Sequence, residues 1–241
     1  MALWMLAAAA AYFVKGLCGF ANTLVFTSIL SFGSATNANI SPVDLLVGYP
    51  TNVILTWKNR EKLNARVWLP LAALVLAGSV PGALLLKHVD ARAIKVVFGA
   101  VIVLLGAEML LRERQKGKLR SSKLLLVLIG VLAGVLCGLF GVGALLAAYV
   151  SRVTDDQNGF KANISAVFVA ENTFRIVLYS CLRLITPETL RTALLLLPFA
   201  LLGLWLGMRS SAKLNDKTAG RLVAVLLVLS GVSLIVKNLG M

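Results

Sequence analysis

The chain has 241 residues, of which 59% are hydrophobic and only 14% charged, and its mean hydropathy is +0.89. Soluble domains carry nearer ~25% charged residues, so this composition excludes a soluble globular enzyme and points to a helical protein that crosses a membrane several times. Twenty-four Lys and Arg against ten Asp and Glu leave a formal charge of +14. The basic residues sit in short connectors between apolar runs, so they read as topology signals beside an anionic leaflet, not as a nucleic-acid surface.

Apolar segments run over 2–32, 42–57, 67–86, 93–111, 124–150, 162–184, 190–208 and 219–236. The first has no basic residue before Lys15 and continues too far for a cleaved signal peptide. Glycines break it near 15–19, with Lys15 at the apex of the break. The segment 42–57 is short for a span and contains Tyr49-Pro50. The longest connector, 112–123, carries Arg112, Arg114, Lys116, Lys118, Arg120 and Lys123 and divides the chain near its midpoint. Beyond it, 124–150 is again broken by glycines, at 138–143.

The halves correspond. Cys18 and Gly19 recur as Cys137 and Gly138 at an offset of 119, and Asn52 recurs as Asn172 at 120. Gly78, Gly82 and Gly106 recur as Gly203, Gly207 and Gly231 at 125. The ordered matches predict a single transmembrane domain over 1–241, built from two repeats at about 1–115 and 120–241.

Charge counting orients the repeats. If each broken segment is a hairpin that enters and leaves by one face, connectors 57–66, 112–123, 151–161 and 209–221 share a side with sixteen Lys and Arg. The other side keeps six: Lys87, Arg92, Lys95, Arg183, Arg191 and Lys237. Single crossings give the weaker bias of thirteen against nine. Length agrees, since residues 2–14 would form a helix of ~20 Å, too short for a ~30 Å hydrocarbon core. The predicted fold is all-α and polytopic: two inverted repeats, each a broken helical hairpin plus three transmembrane helices, with both termini on the outer side.

Two glycine breaks at matching places are the pattern that builds a transporter's midplane site. Where a hairpin turns, the second half-helix presents free N–H groups and a positive dipole end to an anion. Gly19, Asn22 and Thr23 in the first break, and Gly138, Gly141 and Gly143 in the second, are therefore candidate substrate contacts. Close helix packing by small residues is the competing reading. Lys15 and Arg175 are the basic residues away from the connectors, and charge at membrane depth faces a cavity or a partner. Lys15 either binds an anion or snorkels to an interface. Glu171 lies four residues before Arg175, so the two form an ion pair or Glu171 serves as a coupling acid. Asn52 and Asn172 either donate to a ligand or tie helices together.

Other chemistry finds little support. Asp44, Glu108 and Glu188 stand near segment ends and read as interface or cap residues. His88, the one histidine, lies in a connector after Lys87 with no acid constellation around it. The Gly-x-x-Gly-x-Gly at 138–143 follows no strand and is no nucleotide fingerprint. Cys18, Cys137 and Cys181 lack ligand spacing. With no paired nucleophile and base, the sequence predicts no enzyme, no catalytic residue, no metal and no cofactor.

The motifs resemble the TauE/SafE group of sulfite and sulfonate permeases, the toluenesulfonate uptake permease family, over nearly the whole length. The resemblance rests on Gly-x-x-Gly-Phe at 16–20, on GVLCGLFGVGALL at 134–146 and on Gly-x-x-x-Gly at 78–82 and 203–207. Where family members run three glycines followed by a proline, this chain has Ala21-Asn22 and Gly143-Ala144-Leu145. The resemblance implies secondary transport of a small anion, such as sulfite, sulfoacetate or a related sulfonate, by alternating access across the cytoplasmic membrane. Its partners are then a small anionic substrate and the lipid bilayer, without nucleic acid; a homodimer is compatible with it. Two alternatives stand beside it: a thiol–disulfide electron carrier using Cys18 and Cys137, and a non-transporting scaffold. Substrate, direction and coupling ion stay open at this level.

Overall fold

The computed structural model describes residues 1–30, 37–85, 123–140, 143–154 and 156–212, with isolated positions between 96 and 111 and between 218 and 239. Lys87, His88, Glu108 and most of the 112–123 connector lie outside the described residues. The regular structure that is described is helical throughout.

Helix α1 spans Ala2–Cys18 and α2 spans Asn22–Leu30. Gly19 ends α1 in the left-handed conformation (φ 89°), with its N–H bonded to Lys15 O at 2.6 Å. Ala21 also has positive φ, 71°, a conformation that side chains other than those of Gly, Asn and Asp seldom adopt. The chain reverses there. Tyr12 Oη lies 3.5 Å from Asn22 Nδ2, and Trp4 meets Phe26 edge-on at 5.8 Å, so α1 and α2 run antiparallel. The first break is thus a hairpin whose turn is Gly19–Ala21, and Lys15 sits in the last turn of α1 instead of at the apex.

Helix α3, Asn37–Lys58, has 22 residues and contains Pro42 and Pro50. It starts before the apolar run, because residues 37–41 extend it, and so reaches ~33 Å at 1.5 Å per residue. A 3₁₀ turn at Arg60–Lys62 leads into α4, Ala65–Leu85. The second half follows as α5 (Lys123–Phe140), α6 (Ala144–Val153), α7 (Gln157–Cys181) and α8 (Pro187–Ser211). Three of these, α4 over Ala65–Gly82, α7 and α8, are long and apolar enough to cross a membrane. Large apolar side chains such as Leu69, Val177, Leu194, Leu202 and Trp205 face outward, as lipid contact requires.

The start of α7 corrects the charge count. Lys161, assigned to a connector by sequence, lies inside α7 and is buried. Asp156 caps the helix, its carboxylate accepting from Gly159 N at 2.5 Å. At α8, Thr186 and Thr189 cap reciprocally and Pro187 occupies the first turn, where its missing N–H is harmless.

Packing follows the glycines. The most extensive contacts join α1 to α8 and α4 to α5, and α3 packs on α7. A Cβ at Gly16 would stand 2.7 Å from Met208 N and 2.9 Å from Gly207 Cα. One at Gly134 would stand 2.8 Å from Gly78 Cα. The Gly-x-x-x-Gly pairs of α4 and α8 therefore let backbones touch. Two apolar clusters result. One gathers the α1 end, α4, α5, α6 and α7; the other gathers the α1 start, α2, α3 and α8.

Gly207→Leu should force α1 and α8 apart and destabilise the protein by about 1–3 kcal/mol, read as a lower melting temperature in detergent. An unchanged melt would mean that these helices do not meet at Gly16 and Gly207. Asp156→Ala should remove the α7 cap at a cost of about 1 kcal/mol, with Asp156→Asn close to wild type. The Gly159 N–H, with Lys62 beside it, holds the Asp156 carboxyl below its ordinary 3.8. This stabilisation is complete above that value and fades as pH falls through the folded value. The gap between wild type and Asp156→Ala should therefore be full at neutral pH and close in strong acid.

Candidate functional site

The starts of α2 and α6 meet at a polar seam. The first helical hydrogen bond of α2 runs from Val25 N to Ala21 O at 3.2 Å, and that of α6 from Ala147 N to Gly143 O at 2.9 Å. The N–H groups before these bonds have no partner within their helices. Both helix starts, Ala21–Leu24 and Gly143, line one small cavity of about 20 Å³, completed by side chains from α1, α3 and α7. Such a volume admits about one water-sized body.

Lys15 of α1 and Arg175 of α7 both line this cavity. Lys15 is 1% exposed and donates to Thr51 Oγ1 at 2.9 Å and to Gly48 O at 3.4 Å. It is held inside and does not snorkel. Arg175 donates from Nη1 to Cys137 O at 2.6 Å and from Nη2 to Asn172 Oδ1 at 3.1 Å. Its Nε lies 3.4 Å from Glu171 Oε1, close enough for an ion pair but not aligned as a hydrogen bond. Glu171 itself is not in the cavity wall.

Sequence reasoning missed the carboxylate of the site. Asp44 is 4% exposed and lies well inside α3, not at a segment end. Its Oδ1 accepts from Tyr12 Oη at 2.9 Å and from Asn22 Nδ2 at 3.1 Å, and its Oδ2 accepts from Thr23 Oγ1. Donors from α1 and from the α2 start thus converge on this buried side chain. The apolar run hid it, because hydropathy placed the segment boundary at Pro42 while the helix continues back to Asn37.

A second residue that the sequence reading missed is Lys161. It donates to Gly16 O at 3.2 Å and to Ser211 Oγ at 2.6 Å, while Gln157 Nε2 donates to Leu17 O at 3.3 Å. The last carbonyls of α1 are therefore capped from α7. The α5 end is treated likewise, by Arg175 on Cys137 O and by Tyr179 Oη on Gly138 O at 3.4 Å. The signal was present in the sequence as a lysine one residue before an apolar run.

The remaining candidates divide. Asn22, Thr23, Asn52, Gly143 and Asn172 join Lys15 and Arg175 in the wall. Asn52 is 2% exposed and its Oδ1 has no partner. Gly48 also lines the cavity: a Cβ there would stand 3.4 Å from Tyr12 Oη and 3.9 Å from Asn172 Nδ2, filling space without a clash. Gly19 stands outside the wall, where the Lys161 stem packs 2.8 Å from where its Cβ would be. Gly138 also stands outside it, as a capped carbonyl. Gly141 lies outside the described residues. Cys18 and Cys137 are buried in one apolar cluster, and the Cys18 thiol donates to Val14 O at 2.9 Å. Among the described residues no group of three His, Cys, Asp or Glu is placed to hold a metal ion.

No curated protein and no solved structure matches the chain. A family model does. The model described as Sulfite exporter TauE/SafE matches residues 4–234, nearly the full length, and the chain belongs to that family of membrane transporters.

Proposed function

We propose that the cavity between the two hairpin turns holds a small oxyanion of the sulfite or sulfonate type, and that the protein carries it across the cytoplasmic membrane by alternating access. One observation carries the reading. Two helix starts and two buried cations, Lys15 and Arg175, converge on one polar cavity. Backbone N–H groups at a helix start, together with fixed positive charge, suit an oxyanion whose substituent varies. The family supports the same cargo class.

Alternating access draws support from the contacts. If α1–α4 correspond in order to α5–α8, then α1 on α8 and α5 on α4 are equivalent pairs, and α3 on α7 is a pair of equivalents. Gly99 and Gly231 extend the pattern, since a Cβ at Gly231 would stand 2.7 Å from Gly99 O. Equivalent pairings are what two repeats related by a two-fold axis would make, and rocking of one repeat against the other is how such folds expose a central site to either face. The electron-carrier alternative loses ground to the family, and Cys18 and Cys137 are both buried in the protein interior.

Proteoliposomes containing the purified protein should take up sulfite saturably, with sulfonates competing. Gly48→Leu should fill the cavity and reduce flux at least tenfold while the protein still melts cooperatively. Cys18→Ala with Cys137→Ala should leave transport intact. Equal sulfite flux in wild type and Gly48→Leu would sink the cavity as the binding site, and loss of flux only in the cysteine variant would revive the electron carrier.

A further inference from the structure

We infer that Asp44 takes up a proton when the anion binds, so that each anion crosses the membrane with a proton. This rests on the anion-transport reading above and deepens it, moving the coupling role from Glu171 to Asp44.

The first argument is competition. The side-chain donors at the start of α2, Asn22 and Thr23, are the ones that an oxyanion in the cavity would use. In the structure both are spent on the Asp44 carboxylate, along with Tyr12. An arriving anion and an ionised Asp44 would claim the same donors at close range. Two negative charges sharing one set of donors repel, and a proton on one of them relieves the repulsion.

The second argument is charge balance. The ionisable groups around Asp44 are Tyr12 and Lys15 on α1, and Arg175, its partner Glu171 and Tyr179 on α7. Helix α2 brings no ionisable residue, and Glu188, Arg191 and Arg209 of α8 are exposed. Lys15 and Arg175 against Asp44 and Glu171 sum to zero. With all four ionised the empty site is neutral, and an anion alone would leave a net negative charge buried at membrane depth, which is costly. One proton restores neutrality. Asp44 is the acid placed to accept it: it lines the cavity, whereas Glu171 lies behind the wall beside Arg175. The proton comes from water and ends on a carboxylate oxygen, where it can donate to the anion itself.

The test is calorimetric titration of the purified full-length protein with methanesulfonate, whose charge does not change across the neutral range, in two buffers of different ionisation enthalpy. Wild type should take up about one proton per anion bound, and its affinity should fall about tenfold for each unit of pH in the alkaline limb. Asp44→Asn should bind without proton uptake and lose that pH dependence. Binding by wild type with no proton uptake would overturn the inference and leave anion transport standing, whatever the variant does. Uptake that persists in Asp44→Asn and vanishes in Glu171→Gln would overturn it in favour of Glu171. Absence of binding of both methanesulfonate and sulfite at every pH would overturn the inference and the transport reading together.

Discussion

A helix that stops inside a membrane must find partners for its last carbonyls, and this constraint organises the protein. Water is absent there, so each bare carbonyl is expensive. Both α1 and α5 stop at the seam, and one helix answers both. Near its start α7 sends Lys161 and Gln157 to the α1 end, and further along it sends Arg175 and Tyr179 to the α5 end. Lys161 and Arg175 are roughly 21 Å apart along that helix. Each places a positive charge at the negative end of a helix dipole, which is the favourable sense.

The same geometry creates the site. Once α1 ends, the chain must reverse within three residues, and Gly19 and Ala21 do so through left-handed backbone. The reversal aims the start of α2 back into the seam, and the start of α6 at Gly143 meets it there. Helix starts offer donors, so the seam would be strongly positive with Lys15 and Arg175 beside it. Asp44 and Glu171 offset that charge.

Backbone proximity makes the arrangement tight. Gly16 against Gly207 brings the axes of α1 and α8 close together, and Gly78 against Gly134 does the same for α4 and α5. The glycines away from the turns thus serve packing, while Gly19 serves the reversal and Gly48 leaves the cavity open. Small residues do several jobs in one chain, and the residue facing each glycine decides which.

Sequence by itself determined the helical membrane class, the glycine-broken segments, the family and most of the polar wall: Lys15, Asn22, Thr23, Asn52, Gly143, Asn172 and Arg175. These were legible because a polar group or a glycine inside an apolar run stands out against its neighbours, and local pattern is enough to see it. Asp44 and Lys161 were not, because each lies beside the edge of an apolar run, where hydropathy cannot separate a buried charge from a solvated cap. Only the tertiary structure decided that α3 starts five residues before Pro42 and α7 four residues before Lys161, drawing both charges inside. It also decided that Gly19 and Gly138 face away from the cavity, since the direction of a turn is set by the helices packed against it, and those come from distant parts of the chain.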